Sequence, residues 1–127
     1  MNLNLLVLRC RNFEKCRTFY ELLGFQFIEH AHGSGPKHFA CEIADFVFEL
    51  YPAPSSDYLD QTGVGFFADG LPAIHHQLAQ AGYEPGPIKQ NPWGSTFVVR
   101  DPDGRRVEMK ARERDSDRTD AARERAG

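Results

Sequence analysis

The sequence predicts an α+β fold built from two copies of one strand, helix, strand, strand, strand module. Gly24 and Gly82, which each end a predicted helix, lie 58 residues apart. Glu49 and Glu108, which each sit on the last predicted strand of a half, lie 59 residues apart. A nearly constant spacing between matching features indicates an internal duplication. Each half would therefore be one βαβββ module.

In the first half, an apolar run from Leu3 to Arg9 predicts a strand, and Asn12 is placed to cap a helix. Apolar residues then recur at helical spacing until Gly24, where the helix should stop. A glycine-rich stretch, 30–37, separates the remaining strands. We predict those strands at 25–28, 38–43 and 46–51.

The segment 52–57, rich in proline and serine, reads as a linker, after which the same order of elements begins again. A strand is predicted over 64–68 and a helix over 71–81, followed by three more strands. The last two are joined by a tight turn at Asp101-Pro102-Asp103-Gly104. After that turn Arg106, Glu108 and Lys110 share one face of the strand, and Val107 and Met109 the other.

These boundaries give one domain over 1–111, made of modules 1–52 and 61–111, followed by a flexible charged tail at 112–127. The tail contains arginines, acids and alanines but no large apolar residue, so it has nothing to dock on a core. At 127 residues with 41% hydrophobic content, the chain can bury a core without disulfides or metals.

Composition also limits the function. A net charge of −3 gives no basic surface for nucleic acid, and the apolar run at Leu5 to Leu8 is too short to span a membrane. We therefore expect a cytoplasmic protein that binds neither nucleic acid nor a membrane. Cys10, Cys16 and Cys41 have no metal-binding or disulfide spacing, so we expect reduced, mostly buried thiols without a catalytic role.

Five segments together match a known pattern. They are Asn12-Phe13-Glu14-Lys15, Phe19-Tyr20-Glu21-Leu22-Leu23-Gly24-Phe25, Phe48-Glu49-Leu50, Ala68-Asp69-Gly70-Leu71, and Asp101-Pro102-Asp103-Gly104 with Val107-Glu108. As a set they resemble the vicinal oxygen chelate superfamily, which includes glyoxalase I, the bleomycin-resistance proteins and the extradiol dioxygenases. The resemblance covers roughly 3–111. It implies a glyoxalase-like fold, in which paired modules form a half-open eight-stranded mixed sheet that holds a small-molecule ligand in its cup, and a homodimer.

The resemblance also implies four metal-ligand positions, one on the first and one on the last strand of each module. They map onto Leu5, Glu49, Gly63 and Glu108, and the family commonly carries His or Gln where Leu5 and Gly63 stand. Glu49 and Glu108 remain as candidate metal ligands for a hard divalent cation, since zinc, nickel and iron also favour imidazole. The competing interpretation is that both are partly solvated acids paired with Arg9 or Arg106.

Counting in twos along the strands places further residues in the cup. The candidate ligand-binding residues are Leu5, Val7, Arg9, Glu49, Tyr51, Phe67, Trp93 and Arg106. Trp93 is interpreted as a lid over the cup, with a core position as the alternative. His30, His32 and His38 are interpreted as solvated loop residues, and His75 and His76 as surface residues.

Two classes of function fit these residues, with a third that needs no ligand. The first is a glyoxalase or bleomycin-resistance-like protein that binds a small organic molecule without the usual catalytic metal, and the sequence leaves its cofactor open. The second is a divalent-metal-dependent lyase, isomerase or dioxygenase that uses Glu49 and Glu108, with Glu108 as the catalytic residue. Its third ligand would be His38 or a residue of a partner chain, and one carboxylate could act as a general base. The third is a structural dimer whose own side chains fill the cup.

Overall fold

The computed structural model describes residues 1–31 and 33–112. Within them the strand and helix order is βαβββ, twice. The elements are β1 (Leu5–Cys10), α1 (Phe13–Leu22), β2 (Ile28–His30), β3 (His38–Ile43), β4 (Phe46–Pro52), β5 (Val64–Ala68), α2 (Leu71–Gln80), β6 (Lys89–Asn91), β7 (Gly94–Arg100) and β8 (Arg106–Ala111). The predicted α+β fold of two βαβββ modules is thus confirmed.

The chain divides into two compact units. The first contains Met1–Gln61 together with Asp101–Gly104, and the second contains Thr62–Arg100 and residues 105–112. Each unit carries one four-stranded mixed sheet, ordered β1-β4-β3-β2 in the first and β5-β8-β7-β6 in the second. In each sheet the first and last strands of the module pair in parallel, and the other pairs are antiparallel. Of the predicted tail, 112–127, only Arg112 is described, and its N–H donates to the carbonyl of Ala68; the rest lies outside the described residues.

Both helices end in the same motif. Gly24, with a φ of 115°, donates its N–H to the carbonyl of Glu21, while Phe25 donates to the carbonyl of Tyr20. Gly82, with a φ of 94°, and the residue after it repeat both bonds at the end of α2. This Schellman closure needs a left-handed residue, which glycine adopts without a steric penalty. The paired glycines in the sequence therefore mark matching helix ends.

The predicted capping role of Asn12 is only half right. Asn12 occupies the N-cap position and its carbonyl accepts the first helical bond from Cys16, but its side chain makes no capping bond. Instead its amide Nδ2 donates to the carboxylate of Asp103 at 2.9 Å and to the carbonyl of Pro102 at 3.3 Å. The Asn12 side chain therefore bonds to the turn that contains Pro102, about 90 residues away in sequence, rather than to the first turn of α1.

The core of the first unit lies between α1 and one face of its sheet, where aromatic rings meet. Phe48 of β4 makes edge contacts with the rings of Tyr20, Phe25 and Phe27, at centroid distances of 5.1, 5.0 and 5.5 Å. The sequence predicted a strand over 25–28, but β2 begins only at Ile28. The N–H of Phe25 is used in the hydrogen bond that closes α1, so it is not available for strand pairing. The rings of Phe25 and Phe27 both pack in the core.

The second unit packs α2 against its sheet through Leu71 and Leu78, which are buried with Phe97, Val107 and Met109. The expected alternation along β8 is confirmed, since Val107 and Met109 are buried and their neighbours are not. His75 is not a free surface residue as predicted. Its Nε2 lies 2.9 Å from the carbonyl oxygen of Gly86, and its ring makes an edge contact with Phe97.

The turn between β7 and β8 belongs by its contacts to the first unit. The carbonyl of Asp101 accepts from Gly104, whose φ is 90°, as expected for a tight turn ending in glycine. The Asp101 side chain is buried, accepting a 2.8 Å hydrogen bond from the Tyr20 hydroxyl and a 2.9 Å bond from the N–H of Asp103. Arg105, which follows the last residue of this turn, has no exposed surface at all.

No helix among the described residues has the length and apolar character needed to cross a membrane.

Candidate functional site

The face of the first sheet that points away from α1 carries most of the predicted site, and we call it the open face. Leu5, Val7 and Arg9 alternate with buried residues along β1, and Glu49 and Tyr51 do the same along β4. Pairing in register places Val7 beside Glu49 and Arg9 beside Tyr51. Leu5 and Val7 are 45% and 37% exposed, which leaves apolar surface beside these polar groups.

Four side chains form a continuous row at one end of the open face. The guanidinium of Arg9 lies 5.4 Å from the ring centre of Tyr51, within cation–π range. His38 stacks on the other side of Tyr51 with centroids 4.5 Å apart and planes 4° from parallel, and His30 stacks on His38 at 5.6 Å. The row crosses all four strands, and we call it the stacked row. The stacked row therefore places aromatic rings and one guanidinium cation along the border of the apolar surface.

The interpretation of these histidines as solvated loop residues is wrong. His30 and His38 are opposite each other on β2 and β3, and His38 is buried. The sequence did carry a signal for this, because His38, Ala40 and Glu42 alternate with the buried residues Phe39 and Cys41. His32 lies outside the described residues.

Glu49 has an imidazole as a neighbour. Nε2 of His38 lies 3.5 Å from Oε2 of Glu49, and Nδ1 of the same ring lies 3.4 Å from the carbonyl oxygen of Pro36. Both distances are at the long end of the hydrogen-bond range. An imidazole with oxygen atoms at both nitrogens can donate to both only in its protonated form. The pair thus places a carboxylate and an imidazole side by side at the edge of the apolar surface.

A cleft of about 510 Å³ adjoins the stacked row on the β2 and β3 side of the sheet. Its walls include Ile28, His30, Ala40, Glu42 and Ile43, of which Ile28 and Ile43 are strongly exposed. The volume falls within the range typical of small-molecule sites. None of the predicted ligand-binding residues lines this cleft, so the sequence reasoning missed it.

In the second unit, Glu108 lies on the half-buried face of β8 between two cations of its own strand. Arg106 Nη1 and Lys110 Nζ each approach its carboxylate oxygens at 3.4 Å. Phe67 of β5 is opposite Lys110 and is 63% exposed. The predicted pairing of Glu108 with Arg106 is therefore present, and Phe67 offers an aromatic surface nearby.

Trp93 lies in the connection between β6 and β7 and is 56% exposed, so the alternative of a core position is wrong. Its backbone N–H donates to the side-chain oxygen of Asn91 at 3.1 Å, which fixes the tight connection. The exposed indole is compatible with the predicted lid.

The donor atoms do not supply the four-ligand metal site that the family resemblance implies. Leu5 and Gly63 offer no ligand atom, and the Glu108 carboxylate is already paired with two flanking cations. Glu49 with His38 is the better donor pair, but both belong to the first unit and make two ligands rather than four. We therefore derive no chemical step through a metal at these positions.

The three cysteines are free thiols and buried, as the sequence predicted. The side-chain hydrogen bond with Cys10, together with burial and the nearby charges of Asp101 and Asp103, raises the pKa of the Cys16 thiol well above its ordinary value. A thiol held protonated in this way is a poor nucleophile.

Comparisons with solved structures give the same fold in proteins of several activities. An antibiotic-binding protein, TnmS3 from Streptomyces sp. CB03234, is 23% identical with a TM-score of 0.69, over 89% of this chain and 97% of that one. The oxidase ChaP-H2 is 17% identical with a TM-score of 0.65, over 91% and 96%. Lactoylglutathione lyase from Agrobacterium tumefaciens is 15% identical with a TM-score of 0.62, over 87% and 92%. At these identities the likeness concerns the fold alone.

A comparison with curated protein sequences finds no match. A family model does match residues 2–109, which is nearly all of the described chain, and it includes both modules. With the repeated βαβββ order and the two mixed sheets, this match shows that the chain belongs to the Glyoxalase/Bleomycin resistance protein/Dioxygenase superfamily.

Proposed function

We propose that this protein binds a small organic molecule on the open face of its first sheet, without the catalytic metal usual in the superfamily. The observation that supports this most is the exposed apolar surface of Leu5 and Val7 directly beside the stacked row. Exposed apolar side chains next to a few ordered polar groups are the usual composition of a ligand site. TnmS3, which shares the fold, is described as an antibiotic-binding protein.

The side chains of the open face favour a ligand with an apolar body and a polar head. The body would pack on Leu5 and Val7, where it removes apolar surface from water. The head would meet Arg9, whose guanidinium is held over Tyr51, or donate a hydrogen bond to Glu49. Phe67, Trp93 and Arg106 are proposed as ligand-binding residues of the second unit.

Two dyes that differ in charge test the proposal. 1-Anilinonaphthalene-8-sulfonate has an aromatic body with an anionic head, and N-phenyl-1-naphthylamine has nearly the same body without the charge. We expect both to bind with increased fluorescence. Val7→Asp should weaken both dyes at least tenfold, because a charge replaces apolar contact surface. Arg9→Gln should weaken the sulfonate dye several-fold more than the neutral dye.

The matched control is Leu59→Asp, which also places a charge at an exposed apolar residue but outside the strands of the sheet. Dye binding by this variant should equal that of the wild type. Equal binding by the wild type and Val7→Asp would show that the dyes bind elsewhere and would refute the proposed location. Circular dichroism of each variant establishes that the fold is intact.

A second candidate function is a divalent-metal-dependent lyase, isomerase or dioxygenase that uses Glu49 and Glu108. The observation favouring it is the His38 imidazole beside Glu49, since His38 is one of the two alternatives for the third ligand that the sequence analysis named. Calorimetric titration with Mg²⁺ and Mn²⁺ distinguishes the candidates. Submicromolar binding that disappears in both Glu49→Gln and Glu108→Gln would favour the metal-dependent enzyme over our first proposal.

We also propose that the protein is a homodimer. Within residues 1–31 and 33–112, each sheet ends in strands that pair on one side only, β1 and β2 in the first unit and β5 and β6 in the second. Such edges are normally covered or paired in a stable protein. A second copy of the chain is the partner that the superfamily resemblance suggests.

A further inference from the structure

A second group of potential ligands lies in the first unit, away from the open face. Cys10 ends β1, Cys16 lies in the first half of α1, and Asp103 is in the turn after β7. The two sulfur atoms and a carboxylate oxygen of Asp103 all lie within 4.8 Å of one another. We propose that these three residues form a binding site for a soft divalent metal ion such as Zn²⁺, separate from the proposed small-molecule site.

The carboxylate of Asp103 is already oriented toward this position by three donors. Its Oδ2 accepts the N–H of Arg11 at 2.7 Å, and its Oδ1 accepts the N–H of Asn12 at 3.0 Å and that residue's side-chain amide at 2.9 Å. A carboxylate offers about four acceptor positions on its two oxygens, which N–H donors and a cation can share. Outer hydrogen bonds of this kind orient ligands in known metal sites and strengthen binding. They also give Asn12 a role beyond its position at the start of α1.

The ligand types and the local charge both favour a soft cation. Two cysteine sulfurs with one carboxylate are typical ligands of zinc, whereas magnesium and calcium take oxygen ligands. Two acidic residues, Asp101 and Asp103, lie in the same turn, and Asp103 belongs to the group itself. Binding would replace the thiol protons by the metal, and the two thiolates and the carboxylate would compensate the charge of the ion.

The geometry requires only a small adjustment. Tetrahedral zinc with Zn–S of about 2.3 Å and Zn–O of about 2.0–2.2 Å holds its ligand atoms roughly 3.5–3.8 Å apart. Ligand atoms separated by at most 4.8 Å therefore have to approach one another by no more than about 1.3 Å. The thiols are buried and Asp103 is only half-buried, so the metal ion would reach the site from the side of the Asp103 carboxylate. A fourth position would be taken by water.

Cobalt titration tests the site, because Co²⁺ occupies zinc sites and thiolate ligands give it an intense near-ultraviolet charge-transfer absorption. The full chain, kept reduced with a phosphine, should bind one equivalent of Co²⁺ with this absorption, and Zn²⁺ should displace it. Cys10→Ser and Cys16→Ser should lose the absorption. Asp103→Asn should weaken binding at least tenfold while keeping the absorption at saturation.

Cys41→Ser is the matched control, since Cys41 is a buried thiol of the same unit outside the group. It should bind Co²⁺ as the wild type does. Two measurements need no variant: X-ray absorption of the zinc-loaded wild type should find two sulfur ligands, and zinc binding at pH 7 should release about two protons. The absence of thiolate absorption in the wild type, or its persistence in Cys16→Ser, would overturn the proposal. Oxidation to a Cys10–Cys16 disulfide without metal binding would also overturn it.

Discussion

The hydroxyl of Tyr20 should contribute measurably to stability through one buried hydrogen bond. Tyr20 has no exposed surface, and its hydroxyl donates at 2.8 Å to Oδ2 of Asp101, which is also buried. Tyr20→Phe removes this donor but keeps the ring, so the edge contacts with Phe19 and Phe48 should persist. A hydrogen bond to a charged group contributes about 1.5–3 kcal/mol, so we expect a loss of about 2 kcal/mol in the free energy of unfolding.

For a domain of this size that loss corresponds to a decrease of roughly 5–12 °C in melting temperature. Urea denaturation followed by circular dichroism measures the change directly, and the slope m should stay constant because the same surface is exposed on unfolding. Tyr58→Phe is the matched control, since Tyr58 is half-buried and its hydroxyl has no side-chain hydrogen bond within the described residues. Equal stability of the two variants would refute the argument that the Tyr20 hydroxyl stabilises the buried carboxylate.

Three further predictions concern the site, the assembly and the tail. Glu49→Gln and Glu108→Gln should each change the free energy of unfolding by only about 1 kcal/mol, as measured in urea, because both carboxylates are partly solvated. A loss above about 3 kcal/mol would indicate a buried ion pair instead. Light scattering at micromolar concentration should give the mass of a dimer, and a monomer would contradict the proposed assembly. Truncation after Ala111 should leave both that mass and the melting temperature nearly unchanged, and a lower melting temperature would show that the tail docks.

The order of elements could be predicted from the sequence because it depends on local patterns. The alternation along β8 places Val107 and Met109 in the core and Glu108 outside it, since side chains on a strand alternate in direction. Gly24 and Gly82 predicted the helix ends, since a Schellman closure needs a left-handed residue wherever it occurs. The open-face positions of Leu5, Val7 and Arg9 followed from the same period of two.

The partners of polar side chains could not be predicted in this way. Asn12 looks like a helix cap, yet its amide bonds to Asp103, which is 91 positions away. Arg105 follows a turn and carries a charge, both usual signs of exposure, but it is fully buried. Glycines precede His38 in the sequence and favour a loop, and only its stacking on Tyr51 makes it part of the candidate site.

Local patterns are sufficient to predict the duplicated βαβββ order, the core faces of the strands and the helix ends, because these depend on periods of 2 and 3.6 residues and on backbone angles. Folding is what brings Arg9, Tyr51, His38 and His30 into one row and Cys10, Cys16 and Asp103 together. Contacts of this kind depend on strand register and on turns that return the chain to distant segments. No local pattern records which side chains those turns bring together.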